Sequence, residues 1–180
     1  MSEEVGIILR EAVPGDAKDI LLMMGQVNKE TEFLVLDEAE LLLPPETLEE
    51  ELDYIYESNN NLLLLAIYEG TIIGTASVKA DSQFRLSHVG EVGISILQEY
   101  WGMGLGTLML EEIISWAKEM GVLFRLELDV QVRNERAVHL YRKMGFQIEA
   151  VMPRGARTDL GEFLDVFVCQ IKLDKSSFVT

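Results

Sequence analysis

At 180 residues, 48% of them hydrophobic and 26% charged, the chain is long enough to bury a sizeable core and too apolar for a disordered segment. A net charge of −16 excludes the Lys- and Arg-driven binding of nucleic acid and disfavours anionic membrane surfaces. The longest apolar runs fall far short of a membrane span, the first residues lack the pattern of a secretory signal, and the one cysteine, Cys169, leaves no internal disulfide framework; a soluble, cytoplasmic protein is expected.

In chain order, Gly6 to Arg10 reads as a first strand, and Pro14-Gly15-Asp16 as a turn into a helix that Asp16 would cap and that runs to about Asn28. Ile20, Leu21, Met24 and Val27 share one face of it. Pro44-Pro45 suits the first turn of a second helix, striped by Leu48, Leu52, Ile55 and Tyr56 and ending near Ser58 before Asn59-Asn60-Asn61. From Glu30 to Glu57 there are eleven Asp or Glu and no Lys or Arg, which fits either a solvated face or a funnel for a cation. Leu62 to Tyr68 and Thr71 to Lys79 form a hairpin about Glu69-Gly70. A polar loop over Asp81 to Leu86 leads to a strand at Ser87 to Leu97.

A helix over Leu105 to Met120 follows, with Leu105, Leu108, Met109, Ile113, Trp116, Ala117 and Met120 facing inward and Gly121 as C-cap. Arg125 to Val130 alternates as a strand, and Asn134 caps a short helix ended by Gly145. Phe146 to Val151 and Glu162 to Leu173 complete an antiparallel pair across a Gly155–Gly161 turn region, and the tail from Asp174 to Thr180 should fray. The order strand, two helices, three strands, helix, strand, helix, two strands describes one mixed α/β layered domain spanning residues 1–180.

The most informative segment is Tyr100-Trp101-Gly102-Met103-Gly104-Leu105-Gly106-Thr107, a glycine-dense turn between a strand and a long helix. Glycines let a ligand approach the backbone, and the first helical turn offers unpaired N–H groups and the positive dipole end to a phosphate or pyrophosphate. A Walker A loop is excluded, because no lysine lies between Ala80 and Lys118. A dinucleotide fingerprint stays open: Gly102 and Gly104 supply its first pair, Thr107 replaces its third glycine, and Glu127 and Asp129 stand near the place of its acidic residue.

The third reading is a coenzyme A site. Trp101-Gly102-Met103-Gly104-Leu105-Gly106 matches Arg/Gln-x-x-Gly-x-Gly/Ala with Trp101 in the Arg/Gln place. Asn134-Glu135-Arg136-Ala137-Val138-His139-Leu140-Tyr141-Arg142-Lys143-Met144-Gly145-Phe146 matches Asn-x-x-Ala-x-x-Leu-Tyr-x-Lys-x-Gly-Phe. In carrying both, in order, the chain resembles the GNAT superfamily of acetyl-CoA-dependent N-acetyltransferases. Its Tyr-Trp-Gly form looks like the ribosomal-protein and antibiotic-modifying branches, alongside amino-acid acetylating ones. The resemblance implies a GNAT-like mixed central sheet flanked by helices. It also implies transfer of an acetyl group to a primary amine of a small molecule or protein N-terminus by direct attack, with no metal. Ile94, Ser95 and Ile96 would hold the pantetheine arm. Trp101, Gly102, Met103, Gly104, Leu105, Gly106 and Thr107 would surround the pyrophosphate, with Asn134, Ala137 and Tyr141 completing the coenzyme site. Oligomeric state is not readable from the sequence, and a homodimer enters only as an option by fold analogy.

Acetyl transfer requires that the amine lose a proton, that the oxyanion meet donors, and that the departing thiolate gain a proton. Tyr141 is the candidate acid, and Glu91, with His88 behind it, the candidate base. Cys169, in an apolar run, reads as an inert thiol, and with His88 and His139 the only histidines a metal cluster is not expected. Arg133, Arg136, Arg142 and Lys143 would meet the coenzyme phosphates or solvate a helix, and Arg154 and Arg157, in the Met152–Gly161 loop, read either as ordinary loop charges or as partners of an acceptor carboxylate. Two other functions remain: an NAD(P)-binding oxidoreductase and a non-catalytic acetyl-CoA-binding sensor.

Overall fold

The computed structural model describes residues 6–34 and 38–174. The first five residues, and positions 175–180 of the expected frayed tail, lie outside them. Strands β1 (Ile8–Glu11), β2 (Leu62–Tyr68), β3 (Thr71–Ala80), β4 (Val89–Ile96), β5 (Arg125–Gln131), β6 (Gln147–Arg157) and β7 (Phe163–Lys172) form one sheet in the order β1-β2-β3-β4-β5-β7-β6. All neighbours run antiparallel except β4 and β5. Helices α1 (Ala17–Glu30), α2 (Glu38–Leu41) and α3 (Pro45–Glu57) precede the hairpin, α4 (Leu105–Met120) joins β4 to β5, and α5 (Glu135–Lys143) joins β5 to β6. This is the mixed α/β order expected, with the short α2 added. Among the described residues no helix is long and apolar enough to cross a membrane.

The sheet separates two cores, as a layered α/β domain requires. Leu64, Ala76, Val78, Val92, Leu126 and Leu128 pack against Met109, Leu110, Ile113 and Tyr141 on the α4–α5 side. On the other side Leu65 and Ile72 meet Ala17, Ile20, Met23 and Val27 of α1 and Leu52 of α3. The tight hairpin turn is present, with Glu69 and Gly70 both at positive φ. Asn60 and Asn61 do more than stop α3: Asn60 Nδ2 donates to Asp81 O and Ser87 O, and Asn61 Oδ1 accepts from Ala80 N–H, so the pair pins the loop before β4.

Three expectations need correction. Asp16 precedes α1 without capping it; its carboxylate turns back to a bidentate pair with Arg10, at 2.8 and 2.9 Å, and accepts from Val13 N–H. On α4 the buried face is Leu105, Met109, Leu110, Ile113, Ile114 and Ala117, while Leu108 and Met120 are exposed. At about 100° per residue Leu108 falls among Glu111, Glu112, Ser115 and Glu119, on the polar face, and Met120 is exposed in the last turn. Finally, β6 runs on to Arg157, through the segment expected as loop. Being the edge strand, it tolerates the missing N–H of Pro153, and a register shift between Met152 and Ala156 absorbs Arg154 at φ 56°.

Candidate active site

The site begins where two parallel strands part. β4 and β5 are paired only at Val89↔Arg125, Gly90↔Leu126 and Glu91↔Glu127, yet β4 continues to Ile96 and β5 to Gln131. From Val92 onward the β5-facing edge of β4 therefore has no ladder partner, which leaves backbone groups able to pair with an extended ligand inserted as a strand. A cleft of about 510 Å³ follows the gap, and its walls include Ile94, Ser95, Ile96, Trp101, Gly102, Leu105, Gly106, Asn134, Ala137 and Tyr141. Ten of the thirteen residues expected at the coenzyme site are thus brought together. Met103, Gly104 and Thr107 are not part of these walls.

The turn at the mouth of the cleft explains itself from the backbone. Gly102 and Gly104 sit at φ 77° and 81°, the left-handed region, and Gly104 is the N-cap of α4 without a side-chain cap. Among the described residues the N–H groups of residues 102–107 meet no acceptor. Six consecutive donors beside a helix N-terminus form an anion cradle. Gly106 answers a different need: a Cβ there would lie 2.9 Å from Leu140 Cδ2, so its lack of a side chain lets α4 approach α5. Trp101 is fixed by its indole N–H donating to Ile96 O at 2.8 Å, with Arg136 stacked at 5.6 Å from its ring.

Asn134 has both roles anticipated for it, since Oδ1 accepts from Ala137 N–H at 3.3 Å while the residue lines the cleft. Arg133 and Arg136 line the cleft as well; Arg142 and Lys143 do not. Tyr141 is buried on the inner face of α5, edge-on to Phe146, and burial pushes its phenol well above the usual tyrosine range. Its hydroxyl has no hydrogen-bond partner among the described residues.

A second cavity of about 560 Å³ opens on the α1–α3 side of the sheet and shares Ile94, Ser95, Phe33 and Leu34 with the cleft. Glu91 lines it, as does Asp129, which the sequence suggests only as a ribose ligand. Burial, and then the neighbouring Glu127, raises the Asp129 carboxyl above its ordinary value. Asp129 is legible as an outward residue of an alternating strand; its place beyond the parting of β4 and β5 is not. Met152, Gly155 and Ala156 reach this cavity, whereas Arg154 and Arg157 do not line it. Arg154 instead stacks on Phe163 at 4.9 Å and donates its N–H to Asp165. His88 lines neither cavity, and Cys169 is buried with its thiol pushed up by that burial. Segment 31–34 closes over the junction: Gln131 Nε2 donates to Glu32 O and Phe33 O, and Arg133 donates to Gln131 Oε1 and lies 5.3 Å from the Phe33 ring.

The dinucleotide reading does not survive this geometry. Glu127 is paired with Arg125 at 2.8 Å, Asp129 faces the other cavity, and a single short parallel pair stands where a repeated β-α-β array belongs. Comparison with known proteins decides the matter. The model of the acetyltransferase (GNAT) family matches residues 32–146. The chain belongs to the GNAT family.

Among solved family structures, an acetyltransferase from Streptococcus pneumoniae is 42% identical, with a TM-score of 0.90 over 93% of this chain and all of that one. A Salmonella typhimurium structure with its cofactor acetyl-CoA shares the fold at 20% identity, with a TM-score of 0.80 over 95% of this chain and 96% of that one. The L-amino acid N-acetyltransferase AaaT of Escherichia coli is 29% identical over 104 residues, 58% of this chain and 64% of the relative. The chain therefore spans less than two thirds of that curated relative.

Proposed function

We propose that this chain transfers the acetyl group of acetyl-CoA to a primary amine by direct attack. The observation that carries the proposal is the parting of β4 from β5, with an unpaired N–H turn at one end and a second cavity joined to it at Ile94 and Ser95. The donors of residues 102–107 suit the pyrophosphate, with Arg133 and Arg136 beside them. The free edge of Ile94, Ser95 and Ile96 suits the amides of the pantetheine arm, and a backbone N–H there is placed to polarise the thioester carbonyl.

The amine reaches the junction from the second cavity. An ammonium must first lose a proton, and Asp129 accepts it; Glu91 stands three residues, about 10 Å, back along β4 from Ile94 and would act only through water. The neutral nitrogen then bonds to the acyl carbon, the carbon–sulfur bond breaks, and the second amine proton ends on the thiol. Tyr141, held protonated by burial, donates a hydrogen bond to the departing sulfur. Outright transfer of its proton is uphill, since a thiol has a reference pKa of about 8.5.

Calorimetric titration with acetyl-CoA, with NADH as matched control, tests the coenzyme half. Saturable heat from acetyl-CoA alone is expected, and heat from NADH alone would overturn it. Release of free thiol on adding amines tests the transfer half; coenzyme binding with no thiol from any amine would leave a sensor domain.

A further inference from the structure

The walls of the second cavity say what kind of amine the site takes, an inference that rests on acetyl transfer to an amine as the reaction. At about 560 Å³ the cavity has the size of a small-molecule site. Its charged lining is four carboxylates, Glu40, Glu51, Glu91 and Asp129, against Lys79 alone. Lys79 stands opposite Glu91 in the β3–β4 register and therefore offsets that one charge at most. The sequence around α2 and α3 has the same bias, with no Lys or Arg from Glu30 to Glu57. Both arginines that could have met a carboxylate, Arg154 and Arg157, lie outside the cavity wall.

An amino acid would carry its carboxylate one carbon from the reacting nitrogen, and so into the neighbourhood of Asp129 and Glu91. Like charges a few ångströms apart repel in proportion to their desolvation, and among the described residues no guanidinium lines the cavity to bridge them, Arg133 being held on the cleft side of the junction by Gln131 and Glu32. The remaining walls, with Leu21, Met24, Leu48, Ile55 and Leu63 among them, are apolar. Glu40 and Glu51 offer partners to a second ammonium group, so spermidine stands as the rival acceptor that the test must reject.

We propose that the acceptor is a small amphipathic monoamine, its ammonium received beside Asp129 and Glu91, its alkyl or aryl body lodged against Leu21, Met24, Leu48 and Ile55, and its nitrogen-bearing carbon free of carboxylate. A natural substrate of this class arises by decarboxylation of an apolar amino acid or reductive amination of an aldehyde.

The test measures thiol release by the full chain at saturating acetyl-CoA with matched pairs: phenethylamine against L-phenylalanine, and isopentylamine against L-leucine. Phenylalaninamide, which keeps the bulk and removes the charge, and spermidine complete the set. The kcat/KM of each amine should exceed that of its amino acid at least tenfold, with phenylalaninamide following the amine. Glu51→Arg should raise KM for phenethylamine several-fold and lower it for L-phenylalanine, leaving acetyl-CoA affinity unchanged. Equal or faster turnover of the amino acids, spermidine as the best substrate, or no turnover of any member despite acetyl-CoA binding would each overturn the proposal. Silence in the acetyl-CoA titration would instead strike the underlying reaction.

Discussion

At the two cavities the buried Tyr141 phenol and the largely exposed Asp129 carboxyl are displaced from ordinary chemistry, and each displacement has a measurable consequence. Burial raises the Tyr141 phenol, so it stays protonated through the working range and acts as a donor. Tyr141→Phe should lower kcat by about 10- to 100-fold, the cost of one buried hydrogen bond to a charged atom, while acetyl-CoA affinity moves less than twofold. The wild-type kcat profile should show no descending limb from this group below pH 10. Unchanged turnover in Tyr141→Phe would remove the donor assignment. Asp129 is raised too, by burial and then by Glu127. A carboxyl whose folded pKa lies above its unfolded one holds more protons when folded, so stability falls as pH rises from the unfolded value, about 3.9, through the folded one. Asp129→Asn should therefore melt higher than wild type at pH 7, and the difference should vanish in acid below both values. The same variant should lose turnover, and higher stability with full activity would mean that Asp129 is not the base.

At the scale of elements, the turn and α4 work as one device, and two of their three glycines, Gly104 and Gly106, fail differently when replaced. Gly104 has open space where a Cβ would stand but sits at φ 81°, which a β-branched residue resists. Gly104→Val should distort the donors of residues 102–107 and weaken acetyl-CoA binding at least tenfold, at a cost to the fold of roughly 1–2 kcal/mol. Gly106 has ordinary φ but no room, so Gly106→Ala must push Leu140 and should lower both the melting temperature and coenzyme affinity. Calorimetry with thermal melts separates the two, and equal destabilisation by both would refute the distinction. This device was legible from the spacing of Gly102, Gly104 and Gly106 because glycine patterns encode backbone conformation directly. The strand and helix order was legible for a similar reason, since periodicity is local. What the sequence hid was set by tertiary choice. Pro153 and Gly155 read as a loop, yet an edge strand with a bulge accommodates both. Asp129 gave no signal beyond alternation, because a pairing that stops after Glu91↔Glu127 is a relation between distant segments.

Across the whole molecule the distribution of charge poses a problem that the two cavities resolve. For the proposed reaction, a chain of net charge −16 has to attract a polyanionic coenzyme and a cationic amine to adjoining sites. Arg133 and Arg136 outnumber Glu135 on the cleft wall and, with the N–H groups of the turn, make it locally positive, while α2, α3 and the far face of β4 and β5 gather carboxylates around the acceptor side. The local field at the cleft thus opposes the global one, whereas at the acceptor cavity the two agree. Salt should tell them apart. From 0.1 to 1 M ionic strength the screening length contracts from about 10 Å to about 3 Å. The kcat/KM for a cationic amine should fall roughly three- to tenfold over that range, because attraction by distant and local carboxylates is lost together. The kcat/KM for acetyl-CoA should change less, since screening removes the repulsion of the whole protein along with the attraction of its two arginines. A salt series at saturating concentration of the other substrate measures each in turn. Equal responses, or an amine parameter indifferent to salt, would mean that the acidic wall is a solvated face with no part in drawing the amine.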